Sequence, residues 1–165
     1  MKMDLGTLII GAILVILCLS PFVIIALNSN GMEKKLVKLL EAMAYKKGST
    51  INKHEVFSNF AIGIDPNNQY LFYVKNYKGH IMEKTVLLED FNDCSIIQTD
   101  HTIKQAKKRQ TIIDKLELHL QPANKAVSDY SIEFYNTDES LPLNGQLQAM
   151  QKWRHIIKSK QLKAA

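Results

Sequence analysis

Residues able to do chemistry are few in this chain, and they are scattered. Five histidines occur, His54, His80, His101, His119 and His155. A structural or catalytic zinc needs ligands at short, regular spacing, such as two histidines one helical turn apart. No two of these histidines stand so, and none has a cysteine close by in sequence, so no metal ligand set is expected. Cys94 could serve as a nucleophile, but its neighbours Ile96 and Ile97 predict a thiol in the core. The triplet Ile62-Gly63-Ile64 reads as a strand glycine and not as a phosphate loop, and no Gly-x-Ser-x-Gly elbow is present. Glu117 and Glu133 read as solvated charges on the outer face of strands. The expectation is a non-enzymatic chain with no catalytic residue, no cofactor and no metal.

Binding chemistry is better represented. Lys34, Lys35 and Lys38 crowd one short stretch, and Lys104, Lys107, Lys108 and Arg109 another. Each basic residue near an anionic surface adds about 1 kcal/mol, so both groups are candidate contacts for anionic lipid headgroups. Nucleic acid is disfavoured. Single-strand binding wants aromatic platforms among the cations, and no aromatic residue lies between Asp93 and Tyr130. Trp153 is the single tryptophan. It reads as a core anchor, or as one wall of a groove for a protein partner.

The elements that position these residues begin with an apolar run. Leu5 to Leu27 holds no charge, and as a helix of about 34 Å it would match a hydrocarbon core of about 30 Å. The run is longer than a signal-peptide core of about 7–15 residues and has a poor cleavage site at Ala26-Leu27-Asn28. A retained transmembrane helix is expected, with Pro21 tolerated if a kink or Ser20 re-satisfies the carbonyl it frees. Lysines after the run outnumber those before it, which places the C-terminal part in the cytoplasm. The expected location is the inner membrane, crossed once, with the bilayer itself as a partner.

The net charge of +5 lies in the remainder, which has the size of one domain. Met32–Lys47 carries an apolar stripe, Leu36, Leu39, Leu40 and Met43, at helical spacing, and Gly48 supplies a stop. Strands follow at Val56–Asp65, Tyr70–Tyr77, Ile81–Leu88 and Cys94–Thr99. Asp65-Pro66-Asn67-Asn68 and Tyr77-Lys78-Gly79-His80 read as turns between them. A loop is expected from Asp100 to Gln110. The alternating residues Leu116, Leu118 and Leu120 then mark a half-buried strand, and Tyr130, Ile132 and Phe134 another. A final helix from Leu143 to about Lys160 lines Leu147, Met150, Trp153 and Ile157 on one face.

Strands joined by turns and closed by one terminal helix exclude a crossover α/β fold. The order resembles the pleckstrin-homology-like fold, carried by the Ile62–Val74 hairpin and the Trp153 helix, and it resembles bacterial proteins that tether such a domain to a single transmembrane helix. The resemblance implies an α+β, mainly β chain: a barrel or sandwich of six to seven antiparallel strands with a C-terminal helix. A seventh strand would come from Ser49–Phe57 or from His101–Ile103. A six-stranded open barrel, or an antiparallel sheet with a helix on it, remain alternatives. The expected organisation is 1–4 outside the membrane, 5–27 spanning it, 28–53 a basic juxtamembrane helix and linker, and 54–165 the pleckstrin-homology-like domain. Its expected role is that of a membrane-anchored scaffold presenting this domain to a protein partner, with anionic-lipid binding as the alternative.

Overall fold

The computed structural model describes residues 5–105, 108–124, 128–139 and 143–164, with side chains described outside 5–12, 21–30, 103–110 and 160–164. The expected extracytoplasmic residues 1–4 lie outside that set.

Helix α1 runs without a break from Leu5 to Lys46. The helical backbone continues across the boundary expected at 27/28: Asn28 to Gly31 interrupt the apolar pattern, yet it passes straight through them. Pro21 lacks the N–H that would bond the Leu17 carbonyl, and the Ser20 hydroxyl donates to that carbonyl instead, at 3.1 Å. Among the described residues no helix is long and apolar enough to cross a membrane. The expected transmembrane helix, the single-pass architecture and the inner-membrane location with a cytoplasmic C-terminal domain are therefore corrected.

Among the described residues, seven strands form two antiparallel sheets. Sheet A takes β1 (Lys53–Val56), β2 (Phe60–Ile64), β3 (Tyr70–Tyr77) and β4 (His80–Leu87) in that order; sheet B takes β5 (Phe91–Gln105), β6 (Lys108–Pro122) and β7 (Tyr130–Asn136). Tight turns fix the registers of sheet A. The Asp65 carboxylate accepts from the backbone N–H groups of Gln69 (2.6 Å) and Tyr70 (2.7 Å), closing the β2–β3 turn. Lys78 (φ 50°) and Gly79 (φ 90°) form a two-residue link under the Tyr77–His80 pair, the left-handed geometry that matches strand twist.

The central strands β2 and β3 are buried on both faces, which is why they read as continuous apolar runs. One face of sheet A carries Phe60, Ile62, Ile64, Leu71 and Tyr73 into the main core with Leu116, Leu118 and Leu120 of β6 and Ile132 and Phe134 of β7. The other face turns Ala61, Phe72 and Val74 toward Leu36, Leu40, Met43 and Ala44 of α1. The stripe on α1 is thus spent on the sheet. Gly63 keeps this layer close, because a β-carbon there would sit 3.3 Å from the Ile51 side chain.

Helix α2 (Gln146–Ala164) closes the sandwich with Met150, Trp153 and Ile157 buried in the main core. It ties the sheets together. The Trp153 indole N–H donates to Glu55 of β1 at 2.9 Å, and the Arg154 Nε donates to the Cys94 carbonyl of β5 at 3.3 Å. Lys152 pairs with Glu55, and Lys158 with Asp93 at 2.6 Å.

The expected loop at Asp100–Gln110 is strand in its described part. β5 and β6 stay paired to Gln105↔Lys108, whereas β7 accompanies β6 only as far as Lys115↔Asn136. Beyond that point the two strands continue as a ribbon of about 20 Å, at about 3.4 Å per residue. A register shift between Thr99 and Asp100 marks its base.

Candidate functional site

The histidines remain apart. The His101 Nδ1 meets Asp114 at 2.5 Å beside the ribbon's register shift, and the His119 Nδ1 meets the Ser131 hydroxyl at 3.3 Å. Among the described residues no group of three or more His, Cys, Asp or Glu could hold a metal ion. Cys94 is buried; burial pushes its thiol up to about 12, with Asp93 adding in the same direction against Lys158 and Arg154. A thiol so placed is not a nucleophile at neutral pH.

Two concave sites stand out among the described residues. The first lies between the β4 and β7 sides of the sandwich. It has a volume of about 560 Å³ and is lined by Tyr73, Lys75, Lys84, Lys115, Tyr130 and Glu133 among others. Here the expected picture of Glu133 and Glu117 as solvated charges is corrected. Lys75, 4% exposed, pairs with both Glu133 and Glu139, and Lys115 bridges Glu117 (3.0 Å) and Glu133 (3.3 Å). Burial by itself would raise the Glu133 carboxyl, but hydrogen bonds and charge from Lys75 and Lys115 outweigh it and hold the group below its usual range. Sheet A overhangs the free edge of β7 at this place. The Tyr73 hydroxyl donates to the Glu133 backbone carbonyl at 2.6 Å and Lys84 Nζ to the Ser131 carbonyl at 3.4 Å. Side chains therefore occupy acceptors that an added strand would need. Each lysine of the cleft is engaged, Lys84 lying also over the Tyr130 ring, so the cleft is a built structural network.

The second site is a groove of about 610 Å³ between the C-terminal turns of α1 and the segment leading into β1. Val37, Leu40 and Ile51 supply an apolar floor; Lys38, Glu41, Ala42, Tyr45 and His54 stand along it. The helix arrives here because Leu36, Leu40 and Met43 anchor it on sheet A, which turns the face of Lys38, Glu41, Ala42 and Tyr45 outward. Tyr45 is 84% exposed, an unusual setting for a side chain that contributes most when desolvated.

The basic residues singled out by sequence fall in two places. Lys34, Lys35 and Lys38 are exposed on α1, with Lys38 at the groove. Lys104, Lys108 and Arg109 occupy the end of the ribbon, where Lys104 is registered opposite Arg109 and Lys108 opposite Gln105. Their side chains, and Lys107 altogether, lie outside the described residues. Trp153 is 1% exposed and lines neither concave site: it is the core anchor of α2, and the partner groove expected beside it is not among these sites. Tyr45 escaped the sequence reading. Its one signal was an aromatic ring at helical spacing with Lys34, Lys38 and Glu41, off the apolar stripe.

No protein-family model, curated protein or solved structure matches this chain.

Proposed function

We propose that this chain is a non-enzymatic recruitment module that docks a protein partner in the groove between α1 and β1. The observation that carries the reading is Tyr45, exposed beside an apolar groove in a molecule whose other cleft is filled by its own ion pairs. Tyrosine is enriched among residues that dominate binding energy, and grooves of this size with apolar floors and few polar groups are the usual form of a binding site. Seven strands in two sheets closed by a terminal helix are compatible with a pleckstrin-homology-like module, and such a resemblance favours binding over catalysis.

The test is site-specific photo-crosslinking in producing cells. A photoreactive phenylalanine analogue in place of Tyr45 should yield a discrete crosslinked polypeptide. The same analogue in place of Asp129, which lines the other cleft, should not. Equal labelling from both positions, or none from Tyr45, rejects the reading.

A second reading is favoured by one observation. The sequence from His101 to Ile113 has Lys104, Lys107, Lys108 and Arg109 and no acidic residue, and like charges set directly across a strand pair, as Lys104 and Arg109 are, are locally destabilising. Contact with anionic headgroups would offset that repulsion. Under this reading, binding to anionic vesicles should exceed binding to neutral ones, and the excess should vanish in high salt or when the four residues become alanine.

A further inference from the structure

The docking surface on α1 is electrostatically one-sided. Lys34, Lys35 and Lys38 are exposed on consecutive turns. None of the three has an ion-pair partner among the described residues, whereas Lys75, Lys115, Lys152 and Lys158 elsewhere in the molecule are each matched to a carboxylate. Lys34 and Lys38 are one helical turn apart and share a face, and Lys38 is itself a groove residue. Toward the other end stand Glu41 and the exposed ring of Tyr45, with Ile51 lining the same groove and Lys46 and Lys47 exposed just beyond. The α1 surface beside the groove is thus predominantly basic, with Lys34 and Lys38 at its entrance and an aromatic ring next to its apolar floor.

Resting on the docking reading above, we infer that the groove takes an acidic peptide segment of a partner protein. The segment seats one bulky aliphatic or aromatic side chain against Tyr45, Val37 and Ile51 and turns its carboxylates to Lys34 and Lys38. The apolar anchor supplies most of the affinity, since exposed ion pairs contribute little. The lysines select the partner's charge and speed its approach. A basic segment would meet three unpaired ammonium groups, and like-charge juxtaposition of this kind is how interfaces reject wrong partners.

The experiment selects a random peptide display library on the immobilised full chain and then measures the enriched peptides by fluorescence anisotropy. Two variants separate the claims. Ala42→Trp fills the groove from an exposed position, and the double variant Lys34→Glu/Lys38→Glu reverses the entrance charge. The expected peptides combine Asp or Glu with a bulky apolar residue, lose binding on Ala42→Trp, and bind on the order of tenfold more weakly to the double variant. Replacing their acids by lysine should restore binding to the double variant. Peptides that need the open groove but are neutral or basic, or that ignore the charge reversal, overturn this inference and leave groove docking standing. Peptides indifferent to Ala42→Trp, or no enrichment at all, overturn groove docking itself.

Discussion

Lys75 faces two carboxylates, Glu133 and Glu139, from a position 4% exposed. Breaking a buried pair from one side leaves uncompensated charge, typically at a loss of about 3–5 kcal/mol. Lys75→Met should lower stability by about that amount in urea unfolding at neutral pH. The pH dependence should also weaken. In the native chain Glu133 is held below its ordinary value, so its contribution is present above that value and is lost as pH falls through the folded one. Without Lys75, only Lys115 still offsets the burial of Glu133, so less stability should be lost as pH falls. A variant as acid-sensitive as the parent would contradict this assignment. The pair was not legible in the sequence. Lys75 and Glu133 are 58 residues apart, and alternation along β7 turns Glu133 away from the core with nothing to signal that sheet A overhangs that edge. The thiol was legible, because Cys94 lies beside Ile96 and Ile97 in a strand whose apolar face points inward.

At the scale of elements, α1 is held to sheet A by a small cluster, and its loss should be separable from the main core. Leu40, 1% exposed, packs with Leu36, Met43, Phe72 and Val74. Leu40→Ala should destabilise the molecule by about 2–5 kcal/mol. Hydrogen exchange should rise first between Met32 and Lys46 and along the outer face of β2 and β3, with β6 and β7 unaffected. Uniform loosening of both sheets would show instead that the two cores are one cooperative unit. Several elements could be read from residues alone. Leu116, Leu118 and Leu120 announce a strand by alternation, and Asp65-Pro66-Asn67-Asn68 announces its turn by side-chain acceptors. β1 could be read only as one of two candidates for a seventh strand, within Ser49–Phe57, because Lys-His-Glu-Val shows no apolar face and is a strand only through its pairing with β2. The ribbon beyond Thr99 reads as a loop for the same reason: two strands with no third neighbour need no buried face. The continuity of α1 was hidden by Asn28 to Gly31, where hydrophobicity stops and the helix does not. Tyr45 carried a legible position, but its role depends on the groove that only the docking of α1 creates.

At the scale of the whole molecule, α2 makes two sheets into one body, and Cys94 reports on that union. Its thiol lies in the core between sheets A and B, and α2 covers its strand through Arg154, which bonds the Cys94 carbonyl, and Lys158, which pairs with Asp93. Cys18 is exposed on α1. An aromatic disulfide reagent in excess should therefore label one thiol at once and the other only when the core opens. Burial and the raised thiol pKa of about 12 both suppress reaction from the folded state, since the thiolate is the reacting species. The slow phase should match global unfolding followed by the fluorescence of Trp153, because both residues belong to the same core. Denaturant should accelerate both rates in parallel. If Cys94 instead reacts well ahead of the fluorescence change, α2 lifts away from β5 as a local unit. Arg154→Ala would then speed labelling while leaving the urea midpoint nearly in place. Coincidence of the two rates means that no part of the main core, helix included, opens without the rest.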